Sequence, residues 1–384
     1  MTGDAIGVGI AGYGLAGRVF HAVLVQRTPG LRLRAVCSRT AARREQAQGE
    51  HSGIAVHERY EALLDDPAVD LVVVATPHHT HETLVVQAAR AGKHVVVDKI
   101  MCLSVAEGER MIDAARRAGV VFSVFQNRRW DSDYLTLRRV LDSGILGQPY
   151  VIESAVTSFG PSPGYRNPTS DRPRGWRTYA EFGGGPMRDW GAHLFDQAVQ
   201  IAGPAPLSVF ADVQYRRDWD VETAGMAWLR YPPAGGGPDG GGPEGLRYGI
   251  ETGSISALPK PRWFVRGSEG AYLQYGRDPQ EAALHRGEVG PRVMDAEYAP
   301  KVVRYLEGEV REVAVEQVPG DYGEYYRNVG AAIRGESPLA VEPENVLHSI
   351  RLLLAAFRSA ERGAPLECAD QADQADQADQ GGPS

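Results

Sequence analysis

The chain of 384 residues reads as an α/β protein, with an N-terminal doubly wound parallel sheet followed by an α+β domain built on an open, largely antiparallel sheet. Three observations predict this. A glycine turn joins an apolar strand to a helix at the start, apolar strand-like runs alternate with helical patterns to about residue 125, and longer strands take over after Asp131. Alternation of the first kind needs a parallel sheet covered on both faces, whereas successive long strands suit an antiparallel one.

The opening run, Ile6-Gly7-Val8-Gly9-Ile10-Ala11-Gly12-Tyr13-Gly14-Leu15-Ala16-Gly17, has the form of a buried strand, a glycine turn and a helix start. Gly12 permits the turn, Gly14 lets backbone amides approach a pyrophosphate, and Gly17 lets the helix pack closely on the strand. The loop containing Tyr13, Leu15 and Ala16 is therefore a predicted cofactor cradle. An amphipathic stretch (Arg18, Val19, Phe20, Leu24, Val25) and a second strand, Leu31 to Cys37, complete the unit, which a bare glycine turn would not require. Residues 1–125 are thus assigned to a Rossmann domain.

The second strand ends in Cys37-Ser38-Arg39-Thr40, with no acid for a ribose diol and one guanidinium. This favours NADP(H) over NAD(H), since Arg39 can fork onto a 2′-phosphate while Ser38 and Thr40 donate to it. The plainer alternative is that Ser38 or Thr40 caps the next helix and Arg39 faces water.

Further strands are predicted at Val69 to Ala75, His94 to Val97 and Val120 to Phe125. Between the last two, Ser104 and Glu107 predict a capped helix that carries Met111, Ile112 and Ala115 inward and stops at Gly119. A helix from Asp131 through Leu141 opens the second domain, residues 126–363, with strands at Pro149 to Ser158, Leu207 to Tyr215, Ala224 to Tyr231 and Leu246 to Ser256. Pro232 to Pro243 is almost all Gly and Pro and reads as an extended, mobile hairpin loop. Helices over Tyr322 to Arg334 and Pro343 to Arg362 complete the fold. The Ala-Asp-Gln repeat from Ala369 to Gln380 has no apolar side chain larger than alanine and cannot offset its ordering entropy by burial, so residues 364–384 are expected to be a disordered tail.

In open α/β sheets ligands bind beyond the carboxyl ends of the strands. Thr76-Pro77-His78-His79-Thr80-His81 follows one such end. Its histidines crowd into one turn without a carboxylate or thiolate, so loop, capping and cofactor contacts through Thr76, Pro77, His78 and His81 are preferred to a metal site. Asp98-Lys99-Ile100 follows another end, where Asp98 and Lys99 meet the cofactor cleft. The Lys99 ammonium could hydrogen-bond the reacting oxygen and stabilise charge as hydride moves, unless it is an ordinary surface lysine. Asn127 and Arg128, in Gln126-Asn127-Arg128-Arg129-Trp130, could hold cofactor between the domains, with Trp130 as interdomain core. Downstream, Gly183-Gly184-Gly185-Pro186 leads into a helix placing Asp189 and His193 at i and i+4 on one face. His193 could accept or return a hydroxyl proton, with Asp189 orienting it or touching substrate.

The formal charge of −8 gives no general attraction to nucleic acid or anionic membrane. Three cysteines, widely spaced and without C-x-x-C, argue against a disulfide framework or structural zinc, and no leader or membrane-length apolar run is seen. A cytoplasmic protein acting on a small molecule is expected.

To about residue 362 the chain resembles the glucose-fructose oxidoreductase, inositol dehydrogenase and rhizopine catabolism (Gfo/Idh/MocA) family. The resemblance is carried by Gly12, Gly14 and Gly17, the Thr76-Pro77 and His81 loop, the Lys99 segment and the glycine-led helix of Asp189 and His193. Ser38 to Thr40 and Asn127 to Asp131 are most similar to NADP-preferring scyllo-inositol dehydrogenases and their relatives. The resemblance implies hydride exchange at a secondary alcohol or ketone carbon of a cyclic polyol, inositol or sugar-like substrate, with Lys99, Asp189 and His193 catalytic and Trp176-Arg177 near cofactor or substrate. It also implies a homodimer or homotetramer, the open sheet often forming the interface. One departure is Asp98-Lys99-Ile100 where the family commonly has Glu-Lys-Pro. It leaves open a ketone or cyclic-imine reductase of a specialised pathway, or a dinucleotide-binding regulator without chemistry.

Overall fold

One leucine and three valines fill both faces of the central strand Leu71–Val74, every residue of which is buried. The computed structural model describes residues 5–160, 174–216, 219–233 and 245–368. Six parallel strands form the first sheet: β1 (Ile6–Ala11), β2 (Leu31–Cys37), β3 (Ala55–His57), β4 (Leu71–Val74), β5 (His94–Val97) and β6 (Phe122–Val124). Their order is β3-β2-β1-β4-β5-β6, so chain direction around the sheet reverses between β1 and β4 and opens a crevice there. The Ser104 hydroxyl accepts the Glu107 N–H at 3.2 Å at the start of the helix Val105–Ala118, and left-handed Gly119 ends it.

The second sheet has nine strands: β7 (Pro149–Thr157), β8 (Ser208–Tyr215), β9 (Glu222–Arg230), β10 (Arg247–Gly253), β11 (Trp263–Gly267), β12 (Gly270–Gln274), β13 (Lys301–Leu306), β14 (Glu309–Val313) and β15 (Leu366–Glu367). The order is β14-β13-β12-β11-β7-β10-β9-β8-β15, and only β7 and β10 run parallel. Helices Gly191–Ala202 and Pro343–Arg362 pack on this sheet, while Phe210, Met226 and Ile255 remain exposed.

Several expectations are corrected. The strands β3 and β11 to β14 were not anticipated. The disordered tail does not begin at residue 364, because Leu366 pairs with Val209 and the Cys368 N–H donates to the Leu207 carbonyl at 2.8 Å. The Ala-Asp-Gln repeat lies outside the described residues, as does most of the Pro232 to Pro243 segment, though the flanking β9 and β10 pair antiparallel. The single helix expected from Pro186 is two, Pro186–Asp189 and Gly191–Ala202, interrupted at Trp190. Among the described residues no helix is long and apolar enough to cross a membrane.

Candidate functional site

A cleft of about 690 Å³ opens where β1, β2, β4 and β5 end. The glycine turn forms its floor. A Cβ on Gly12, whose φ is +96°, would strike the Ala75 carbonyl, and one on Gly17 would strike the Gly12 carbonyl. Both positions must therefore be bare for the turn to pack against β4 and the following helix. A Cβ on Gly14 would meet nothing within 4 Å and would instead project into free space. That bare stretch, lined also by Tyr13, Leu15 and Ala16, fits a dinucleotide whose phosphates must approach backbone.

Tyr13 anchors the turn from below. Its hydroxyl donates to Glu50 at 2.8 Å and sits 2.6 Å from His51 Nε2, while Arg18 donates to the same Glu50 carboxylate at 2.8 Å. Burial, then the Glu50 hydrogen bond, pushes the Tyr13 phenol far above its ordinary range, so it stays a neutral donor.

At the end of β2, Ser38, Arg39 and Thr40 line the cleft together with Arg43 and Arg59, which sequence reasoning missed. Thr40 precedes the helix Ala41–Glu50 but makes no side-chain cap, and Ser38 Oγ reaches only the Thr40 N–H, at 3.3 Å. Neither hydroxyl therefore caps that helix, while Arg39 is exposed, as the plainer alternative has it. Among the described residues, no carboxylate lies within salt-bridge distance of the Arg39 guanidinium.

The loops after β4 and β5 supply Thr76, Pro77, His78, Asp98 and Lys99 to the same cleft, which Trp176 and Arg177 close from the second domain. The Thr80 hydroxyl donates to the Pro77 carbonyl at 2.7 Å and does not cap the next helix. His81 is corrected too. It is buried outside the cleft lining, with Nδ1 2.8 Å from the Ile100 carbonyl and Nε2 3.0 Å from the Thr76 carbonyl, so it ties two loops together. His78 Nδ1 lies 2.8 Å from the Gly183 carbonyl and joins the first domain to the glycine run. The Lys99–Ile100 peptide bond is cis although residue 100 is not proline.

Lys99 Nζ donates to the Asp189 carboxylate and, at 2.6 Å, to the Asp189 carbonyl. Arg177 Nε lies 3.5 Å from the other carboxylate oxygen. Burial alone would raise the Asp189 carboxyl, but the charges of Lys99 and Arg177 outweigh it and hold the group well below the usual carboxylate range. Asp189 is thus a permanent anion that fixes the lysine. It does not supply the hydrogen bond on His193 Nδ1, because its carboxylate is taken by Lys99 and Arg177. That bond comes from Gln126, whose Oε1 lies 2.7 Å away. Burial and the nearby charges of Lys99 and Arg128 hold the imidazole well below its ordinary pKa, so it is neutral.

Asn127 and Arg128 lie outside the cleft lining, as do Asp189 and His193, which adjoin it through Lys99 and Arg177. The Arg128 guanidinium is taken up by Glu281 at 2.6 Å and Tyr322 at 3.2 Å and stacks on Trp190, and its charge also acts on His193. Asn127 is buried with its amide nitrogen unpartnered. Glu222, also missed, accepts the Met187 N–H at 2.9 Å beneath the glycine run. A buried acid at a strand start carries no sequence signal, whereas Gln126, two residues past the end of β6, could have been found by the strand-end rule. Among the described residues no cluster of three His, Cys, Asp or Glu side chains could hold a metal ion.

Comparison with known proteins agrees along the chain. Residues 6–126 match the model of an oxidoreductase family with an NAD-binding Rossmann fold. Residues 134–273 match a GFO/IDH/MocA C-terminal domain, and residues 248–368 match the family's C-terminal alpha/beta domain. The "uncharacterized oxidoreductase YdgJ" of Escherichia coli K12 is 34% identical, covering 94% of this chain and 99% of that protein. The scyllo-inositol 2-dehydrogenase (NADP(+)) IolW of Bacillus subtilis 168 is 30% identical over 93% of this chain and 94% of its own. The solved structure of YPO2259 from Yersinia pestis superposes with a TM-score of 0.81 at 33% identity, covering 95% of this chain and 97% of that one.

Proposed function

Because the chain belongs to the Gfo/Idh/MocA oxidoreductase family, we propose that it is an NADP(H)-dependent dehydrogenase or reductase acting on a secondary alcohol or ketone of a cyclic polyol, inositol or sugar-like molecule. One observation carries the reading: a lysine pinned by a buried anion stands at the mouth of the cleft, and a neutral buried imidazole lies in the same region. When bound, the nicotinamide donates or takes up the hydride.

The chain's own residues do the rest. Gly12 to Gly17 receive the pyrophosphate. Arg39, with Arg43 and Arg59 beside it, receives a 2′-phosphate, and the similarity to IolW, named for NADP(+), supports that preference. In the oxidation direction His193 accepts the hydroxyl proton at Nε2 and releases it to solvent; in reduction the ring first takes up a proton from solvent at Nε2 and then gives it to the reacting oxygen. The Lys99 ammonium hydrogen-bonds the reacting oxygen and offsets charge that develops there. Asp189 keeps that ammonium aimed, and Trp176 and Arg177 cover the site. The reading places the enzyme in the cytoplasm as a homodimer or homotetramer, paired through the sheet face that exposes Phe210, Met226 and Ile255.

The test is a screen of the purified protein with NADPH against inososes, ketoses and cyclic imines, and with NADP+ against inositols. Substrate-dependent change in nicotinamide absorbance with an inosose, ketose or inositol is expected. Turnover of imines alone would move the substrate class, and silence across the whole panel would refute the reading.

A further inference from the structure

We infer that Gln126 is a positioning residue whose side-chain oxygen holds His193 in the Nδ1–H tautomer, which leaves the lone pair on Nε2. A neutral imidazole has one donor and one acceptor nitrogen, and the bond made by one decides the role of the other. Here Nδ1 lies 2.7 Å from Gln126 Oε1, with both side chains buried. The amide cannot be turned the other way without loss, because Gln126 Nε2 donates to the Ala192 carbonyl at 3.3 Å. Flipping it would set two oxygens against each other. The backbone beneath is fixed as well, since the Gln126 N–H donates to the Val124 carbonyl at 2.7 Å.

An amide differs from a carboxylate in this place. Serine hydrolases orient the base with an aspartate, which also stabilises the imidazolium. Around His193 the charged groups are Lys99, Arg128, Asp189 and Arg262, with cations in the majority. Trp190 stands edge-on to the ring at 6.2 Å. A neutral orienter adds no charge to this set, so the ring remains an acceptor while its direction is fixed. That His193 acts as the base rests on the proposed function; the tautomer does not.

The experiment uses full-length, ¹⁵N-labelled protein without coenzyme or substrate, and long-range ¹H–¹⁵N spectra of the histidine rings, with His193 assigned by its loss in His193→Asn. Wild type is expected to show a protonated Nδ1 and a bare Nε2. Gln126→Met, which keeps length and removes the acceptor, is expected to shift the ring toward Nε2–H. Gln126→Glu is expected to restore Nδ1–H and to raise the pH at which the ring protonates, because a carboxylate favours the cation. In turnover assays Gln126→Met should lose on the order of 10²-fold in kcat, within the contribution of the base itself, with NADPH affinity unchanged. Gln126→Glu should recover part of that loss, with the base limb moved to higher pH. Retention of Nδ1–H in Gln126→Met overturns the inference. If that variant does not fold, an unmoved ring titration in Gln126→Glu does so instead. A tautomer that shifts in a protein inactive on every substrate leaves the inference standing and removes the redox reading.

Discussion

Replacing Glu222 by Gln should stabilise the protein at alkaline pH and leave it nearly unchanged in mild acid. The carboxyl is buried at the start of β9, accepts the Met187 N–H, and supports the short helix that ends in Asp189. Burial pushes its pKa up from the ordinary 4.5 to about 7, against the opposing pull of the Met187 N–H and the charge of Arg188. The folded state therefore holds this proton more tightly than the unfolded chain does. Its contribution to stability is fully present below pH 4.5 and is lost as pH rises through about 7. The separation between those two values corresponds to about 3 kcal/mol, which wild type forfeits at pH 8. Gln keeps an oxygen for the Met187 N–H and has nothing to ionise. Urea denaturation of both proteins at pH 5 and pH 8 would measure the difference directly. A gap that is the same at both values, or one that favours wild type at pH 8, would refute the burial argument.

Three further outcomes are expected. Lys99→Ala should lower kcat by roughly 10² to 10⁴, the usual weight of such a group; turnover within about threefold of wild type would exclude its role. Arg39→Ala should raise the NADPH dissociation constant about 10- to 100-fold, since a hydrogen bond to an ionised group is worth roughly 1.5 to 3 kcal/mol, while leaving NADH binding alone; fluorescence titration with both coenzymes decides. Gly17→Ala should cost about 1 to 3 kcal/mol or more by overpacking against the Gly12 carbonyl, whereas Gly14→Ala should leave thermal unfolding nearly unmoved and weaken NADPH binding, so equal losses of stability would contradict the geometry.

Much of the first domain is legible because its signals are local. The strands β1, β2 and β5 and the helix Pro343–Arg362 have the bounds that apolar runs, glycine stops and Pro343 dictate. The strands β11 to β14 were not legible. They are only five or six residues long, with charged residues in β11, β13 and β14 and glycine and alanine opening β12, so they become strands through their neighbours more than through their own pattern. The same holds in the site. Gly14, Lys99 and Arg39 could be placed by the rule that strands deliver ligands at their carboxyl ends. The partners of Arg128 were not legible, because Glu281 and Tyr322, which claim its guanidinium, lie more than a hundred residues away in the chain. Helical periodicity likewise put Asp189 within a turn of His193, but it could not foresee that Gln126, from the first domain's edge, supplies the Nδ1 partner.

The helix Pro343–Arg362 touches β8, β6 and the helix Val105–Ala118, and a single apolar core runs through both halves of the molecule. Leu347 sits so near Gly108 that a methyl group there would strike it, and Arg351 reaches Glu109 at 2.8 Å. Prying the lobes apart would expose that seam to water. A swing of whole lobes would therefore cost the burial of that seam.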